Sequence, residues 1–283
     1  MANENQNIIG AGQDTARPAP KINTTTCGDC LEVMQGIPDK SIDMILCDLP
    51  YGTTTCKWDV VIPFEPLWVQ YKRIIKDRGA IVLFGSEPFT GQLSASNPAQ
   101  LKYSLVWNKK QTGNPFLATK QPLKIHEDVL VFNSGRYFPI MTEGKMRKKG
   151  GGSKSLLFGN TEEKENNQYY PVSILEFPNC SIRTGRLHPT QKPVALLEYL
   201  IKTYTLEGET VLDNCMGSGS TCVACINTGR NYIGIEKEEK YCRIAKERIH
   251  ALRSPAQNTA EICHTAPNRP STPDFQVSME LGL

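Results

Sequence analysis

Three clusters of residues have the types and spacing to do chemistry. Asp48-Leu49-Pro50-Tyr51-Gly52 follows the apolar run Ile42–Cys47. It delivers an acid, a proline and an aromatic ring at the end of a predicted buried strand, the edge where ligands bind in open α/β sheets. A carboxylate accepts from an amine, a rigid turn fixes its direction, and a tyrosine ring stacks on a planar base. Asp213-Asn214-Cys215-Met216-Gly217-Ser218-Gly219 closes the short predicted strand Glu209–Asp213, and Glu236 ends the next one, Asn231–Glu236. Glycines let a ligand approach the backbone, and an acid at the following strand end suits a ribose diol. His188-Pro189-Thr190-Gln191-Lys192-Pro193 opens a predicted helix, Val194–Tyr204, with proline at a good helix start. Each cluster also has a plainer reading: a capped strand-end turn, a structural βαβ turn, and a helix-start hydrogen bond from His188.

The glycine loop is Gly-Ser-Gly rather than GxGxxG, and Asp213 stands at its head. A carboxylate there would oppose a pyrophosphate but could accept from an ammonium. The unit therefore favours S-adenosylmethionine over a nicotinamide dinucleotide.

The elements that must hold these clusters are legible as alternating apolar runs and amphipathic helices. Helical spacing covers Cys30–Ile37, Pro63–Asp77, Pro88–Ser96, Val194–Tyr204, Thr221–Asn227 and Lys237–Leu252, and further strands are predicted at Gly79–Phe84, Leu101–Trp107 and Asp128–Phe132. Strands separated by helices imply an α/β fold with a mainly parallel sheet. The stretch Gly135–Leu187 has no clear period and reads as an irregular insertion; Lys109–Thr119 reads as a mobile loop. Residues 1–23 and 254–283 are polar or rich in Pro, Ser and Thr, and read as a disordered arm and tail around a catalytic domain at 24–253.

The chain has 283 residues and a formal charge of +3. That charge is unevenly placed. From Lys102 to Arg186 there are 14 Lys and Arg against 7 Asp and Glu, leaving 18 against 22 elsewhere. The basic middle, with Lys109, Lys110, Lys145, Arg147, Lys148, Lys149 and Lys154, suits a polyanion; a solvated charged surface is the plainer alternative. Ten cysteines include the pairs Cys27/Cys30 and Cys222/Cys225. No His stands at ligand spacing and the second pair falls in a predicted helix, so buried thiols are expected rather than a metal site. No apolar run reaches membrane-spanning length and the first 21 residues lack a signal region, which points to a cytoplasmic protein.

With these motifs in hand, the chain resembles the beta class of S-adenosylmethionine-dependent DNA amino-methyltransferases. Asp48-Leu49-Pro50-Tyr51 is similar to the family's D-P-P-Y, Asp213–Gly219 to its D-P-F-x-G-S-G, and His188–Pro193 to its HPTQKP signature, in the permuted order of that class. The resemblance spans about residues 27–252. It implies a Rossmann-like, mixed seven-stranded sheet with one antiparallel strand and a target-recognition insertion at about 109–186. It also implies methyl transfer to the N6 amine of adenine in double-stranded DNA, with the base flipped out. Asp48 and the Leu49 carbonyl would accept from the amine, Pro50 would fix the turn and Tyr51 would stack on the base. Asp29, Asp48, His188, Thr190, Lys192, Asp213, Asn214, Gly217, Ser218, Gly219 and Glu236 would hold the cofactor. A bacterial or phage-infected host, a homodimer and a restriction endonuclease partner also belong to this picture. Two departures stand out: Leu49 replaces a proline, keeping its carbonyl, and Asn214-Cys215 replaces Pro-Phe. Cytosine-N4 methylation, an RNA or protein amide substrate, and a silent DNA-binding protein of the same fold stay open; a nicotinamide-dependent oxidoreductase is the weakest alternative.

Overall fold

The apolar run at 42–47 forms a strand with every residue buried, and its side chains divide between two cores. Ile45 and Cys47 face one, Met44 and Leu46 the other, as the period of two requires. The computed structural model describes residues 20–56, 59–113, 115–149, 164–180 and 191–253. Along the chain run β1 (Thr24–Cys27), α1 (Cys30–Gln35), β2 (Ile42–Cys47), α2 (Phe64–Ile74), β3 (Ile75–Gly85), α3 (Phe89–Ser96), β4 (Leu101–Asn108) and β5 (His126–Phe132). There follow β6 (Thr142–Lys149), β7 (Lys164–Tyr169), β8 (Ile174–Glu176), α4 (Val194–Tyr204), β9 (Thr210–Asp213), α5 (Ser220–Asn227), β10 (Asn231–Glu236) and α6 (Glu239–Arg253).

The main sheet has the order β1-β10-β9-β2-β3-β5-β4-β8. Seven strands are parallel, and β5 alone runs against its neighbours β3 and β4. The core of one face is completed by α1, α2 and α3, with Met34, Leu67, Trp68, Tyr71 and Phe89. The other is completed by α4, α5 and α6, with Leu196, Leu200, Tyr204, Cys222 and Ala245. This is the expected α/β architecture with one antiparallel strand. The count is eight rather than seven because β8, three residues long, returns to pair with β4 at the edge.

Two boundaries differ from the sequence reading. The helix expected to run to Asp77 ends at Ile74, and β3 starts at once with Ile75. Lys76 is drawn out of the helical pattern by the buried Asp43, whose two oxygens it meets at 2.8 and 2.9 Å. The region expected to be irregular contains an antiparallel ribbon of β6 and β7. Arg147 lies 3.9 Å from the Tyr169 ring centroid and donates to the Gln168 carbonyl at 2.9 Å; such cross-strand pairs have no apolar period to announce them.

The permuted order closes in space. β9 pairs directly with β2, Met44 opposite Val211 and Ile45 opposite Leu212. The strands that carry Asp48 and Asp213 are therefore neighbours, and both acids leave the same edge. Among the described residues no helix is long and apolar enough to cross a membrane. The nine described cysteines are free.

Candidate active site

The carboxyl ends of β1, β2, β9 and β10 open onto one cavity of about 490 Å³, within the range of small-ligand sites. Its wall joins two sets of residues. One includes Asp29, Asp213, Gly217, Ser218, Glu236 and Tyr241; the other Phe84, Trp107, Lys109, Glu127 and Lys192; and Asp48, Leu49, Pro50 and Tyr51 also line it.

Asp48 follows β2 directly. Tyr51 donates its hydroxyl to Asp48 Oδ1 at 2.8 Å, and Lys192 Nζ lies 2.7 Å from Oδ2. Lys192 also lies 3.0 Å from Glu127 Oε2, and Lys109 Nζ lies 3.1 Å from Glu127 Oε1. The Lys192 side chain is only 8% exposed, with the rings of Phe84, Tyr51 and Trp107 at 4.9, 5.8 and 5.8 Å from its ammonium. Burial pushes the Asp48 carboxyl above its ordinary range, against the pull of Lys192 and with the help of the Glu127 charge. For Glu127, burial acts upward too, but the two lysines outweigh it and hold the group low. Lys192 titrates above its usual range because the two carboxylates outweigh its burial. Tyr51 stacks on Phe89, centroids 5.0 Å apart.

The loop after Tyr51 is held by an acid the sequence reading passed over. Asp59 accepts from the backbone N–H of Gly52, Thr53 and Thr54 at 2.9, 3.0 and 2.7 Å. Burial opposes its ionisation, but these bonds and the Thr54 hydroxyl hold it below the usual carboxylate range.

Across the cavity, Glu236 accepts from Gly217 N–H and Glu238 N–H, both at 2.8 Å, and burial raises its carboxyl. Asp213 accepts from Cys215 N–H at 3.1 Å. Its burial outweighs hydrogen bonds from Thr221, Cys215 and Cys47 and raises its pKa to about 7. These partners are neutral, so a ligand cation would complete the site. Asp29 caps α1 through Leu31 N–H at 3.0 Å and meets Lys237 Nζ at 3.3 Å. This acid set, with Gly217 at φ +52°, fits the ammonium and ribose of S-adenosylmethionine.

Other expected site residues have structural partners of their own, although Lys192, Asn214 and Lys109 also line the cavity. Lys192, expected by the cofactor tail, is anchored against Asp48 because the chain ahead of α4 turns it into the ring of aromatics. Lys109, expected among DNA-facing cations, is drawn into the cavity wall by Glu127. Asn214 is 1% exposed and accepts the Tyr71 hydroxyl at 2.6 Å. Gly219 has φ +78°, and an added Cβ would meet Ala245 Cβ at 3.0 Å, so its lack of a side chain serves helix packing. Lys110 pairs with Glu176, while Lys145 and Lys148 are exposed on the ribbon. His188, Thr190, Lys154 and the Lys149 side chain lie outside the described residues. Glu127, Trp107 and Phe84 were missed. The polar opening of β5, His126-Glu127-Asp128 ahead of four buried residues, is the one signal that could have exposed Glu127.

Comparison with known proteins gives the family and the fold. The model of the N6/N4 family described as DNA methylase matches residues 42–247. The type II methyltransferase M.HinfI of Haemophilus influenzae is 28% identical over 279 residues, covering 89% of this chain and 75% of that protein. The DNA adenine methyltransferase YhdJ of Escherichia coli is 27% identical, covering 84% of this chain and 86% of that one. Among solved structures, the M1.HpyAVI–SAM complex aligns with a TM-score of 0.53 at 23% identity, over 79% of this chain and 98% of that one. The cytosine-N4-specific PvuII DNA methyltransferase aligns with a TM-score of 0.57 at 16% identity, over 84% of this chain and 94% of that one. Both structures share the fold. With the strands that carry Asp48 and Asp213 paired at one sheet edge and the family model matching residues 42–247, well over half of the chain, the chain belongs to the N6/N4 DNA methylase family.

Proposed function

We propose that this methylase transfers a methyl group from S-adenosylmethionine to the exocyclic N6 amine of adenine in double-stranded DNA. The observation that carries the reading is Asp48, fixed by Tyr51 at 2.8 Å and Lys192 at 2.7 Å, in the same cavity as Asp213 and Glu236. Asp at position 48 favours adenine over cytosine, as does the name of the adenine methyltransferase relative.

The adenine amine is a poor nucleophile because its lone pair is delocalised into the ring. Asp48 and the Leu49 carbonyl accept its two hydrogens and localise that pair; this is positioning with electrostatic stabilisation. Pro50 keeps the turn rigid and Tyr51 presents a ring for stacking. S-adenosylmethionine, when bound, supplies an electrophilic methyl on a sulfonium. Asp29, Asp213, Gly217, Ser218 and Glu236 hold it, with Asp213 on the ammonium and Glu236 on the ribose. After transfer, Asp48 accepts the amine proton. An amine inside a duplex cannot reach Asp48, so the base is flipped out. Lys110, Lys145 and Lys148 are the DNA-facing cations of this reading, Arg147 holds the ribbon that presents the last two, and the insertion at about 109–186 is the recognition region. A restriction endonuclease partner and a bacterial cytoplasmic setting accord with the type II names of the relatives. A homodimer completes the reading, and sedimentation at micromolar concentration tests it.

The test is nucleoside mass spectrometry on DNA incubated with the protein and S-adenosylmethionine. N6-methyladenine is expected, N4-methylcytosine would overturn the choice of base, and no modified nucleoside would overturn the reading. Asp48→Ala should lower turnover by at least about 10²-fold while cofactor affinity, read by calorimetry, stays within a few-fold. Retained turnover would remove Asp48 from its role.

A further inference from the structure

The catalytic carboxylate is one end of an alternating row of charges in the cavity wall, half-buried apart from the buried Lys192: Asp48, Lys192, Glu127 and Lys109, with successive separations of 2.7, 3.0 and 3.1 Å. The row draws on four separate segments. Asp48 follows β2, Lys192 precedes α4, Glu127 opens β5, and Lys109 follows β4. Because β5 runs against its neighbours, its start lies at the edge where the parallel strands end. That reversal places Glu127 beside the site, opposite Trp107 in register.

We infer that Glu127 and Lys192 are positioning residues for the methyl-transfer step, Lys192 holding Asp48 Oδ2 in place and Glu127 sharing that ammonium so that Asp48 keeps its acceptor strength. The inference rests on the assignment of Asp48 as the amine acceptor. An ammonium bound to Asp48 alone would fix the carboxylate but draw off the charge that the target amine must meet. Divided between two carboxylates, the same ammonium still orients Asp48. A buried cation of this kind persists only when fully partnered, and the two acids with the surrounding rings of Phe84, Tyr51 and Trp107 supply that partnership. With Tyr51 on Oδ1 and Lys192 on Oδ2, each Asp48 oxygen retains further acceptor capacity.

The groups that face Asp48 are Cys47 at the end of β2, Tyr51 on the following turn, Lys192 ahead of α4, Glu127 on β5 with Lys109 behind it, and Asp213 at the end of β9. Removing one charge of the row at a time gives opposite signs. Glu127→Gln removes a like charge, so Asp48 titrates lower. Lys192→Met removes the opposite charge, so Asp48 titrates higher. A residue that merely fills space would not produce this pair of responses.

The experiment is a carbon-13 carboxyl NMR titration of Asp48 in the full chain, assigned by loss of the signal in Asp48→Asn. Shifts of about one pH unit or more in opposite directions are expected for the two variants. The double variant E127Q/K192M should titrate between them, which keeps the test valid if Lys192→Met alone leaves two unpaired acids and does not fold. In parallel, Glu127→Gln should lower kcat on DNA roughly 10- to 100-fold and move the acidic limb of the rate profile down, with KM for S-adenosylmethionine changed less than about threefold. Unmoved titrations, an upward shift in Glu127→Gln, or a double variant that titrates no higher than Glu127→Gln would overturn the inference. Absence of methyl transfer by the unaltered protein would instead sink the assigned reaction, while the titration still decides whether the row tunes Asp48.

Discussion

Asp213 binds a proton more tightly in the folded chain than out of it, because burial raises its pKa to about 7 from about 3.9 in an unfolded chain. Two consequences follow with opposite sign. The stability contribution is full below pH ~4 and declines as pH rises to about 7, since only the folded state keeps the proton in that window. Asp213→Asn should remove this decline, measured as the urea midpoint against pH. Cofactor binding runs the other way. An ammonium pairs with the ionised acid, so the affinity for S-adenosylmethionine should rise from pH 5 to about 7 and then level off. Calorimetry across that range should show proton release on binding, and Asp213→Asn should flatten the profile. An affinity independent of pH would remove Asp213 from the ammonium.

The elements are pinned at both ends of the sheet by groups that are not local to one another. At the end away from the cavity, Asp43 accepts from Thr210 N–H at 3.0 Å and from Lys76, while Arg136 holds Glu209 through two bonds at 2.6 and 2.9 Å. That ties β2, β3 and β9 into one block. At the site end, the glycine loop enters α5 through Gly219, left-handed and pressed against α6 at Ala245. Gly219→Ala should therefore destabilise the fold by about 1–3 kcal/mol, from the left-handed backbone and the close approach together. A thermal melt without cofactor checks this. An unchanged melting temperature would mean that α6 yields to the methyl group.

At the scale of the whole molecule, part of the charge imbalance falls on the β6–β7 ribbon, whose strands carry five Lys and Arg against two Glu. Arg147 is committed to holding the ribbon together through Tyr169 and Gln168. Lys145 is exposed, and Lys148 is exposed beside Glu165 at 3.4 Å. Replacing Lys145 and Lys148 by Ala should weaken DNA binding about equally for all sequences. It should also reduce the slope of log affinity against log salt by about one for each phosphate no longer neutralised. A sequence-dependent weakening with an unchanged slope would mean that these lysines read bases rather than backbone. The same ribbon was illegible in advance, because Lys, Glu, Asn and Gln carry no period and no short turn signal joins its two strands.

The sequence alone determined what is local. β2, α4 and β10 lie where their apolar spacing put them, at Ile42–Cys47, Val194–Tyr204 and Asn231–Glu236, since burial on one or both faces and a proline at a helix start are written in consecutive residues. It also carried Asp48, Asp213 and Glu236, because an acid that ends a parallel strand or directly follows it reaches the ligand edge whatever comes next. The direction of β5 was decided only in three dimensions, and with it the arrival of Glu127 beside Lys192. So was the burial of Lys192 among Phe84, Tyr51 and Trp107, which belong to three other segments of the chain. A charge reads as surface in a sequence; only strand order and packing show that it is buried, and what it is paired with there.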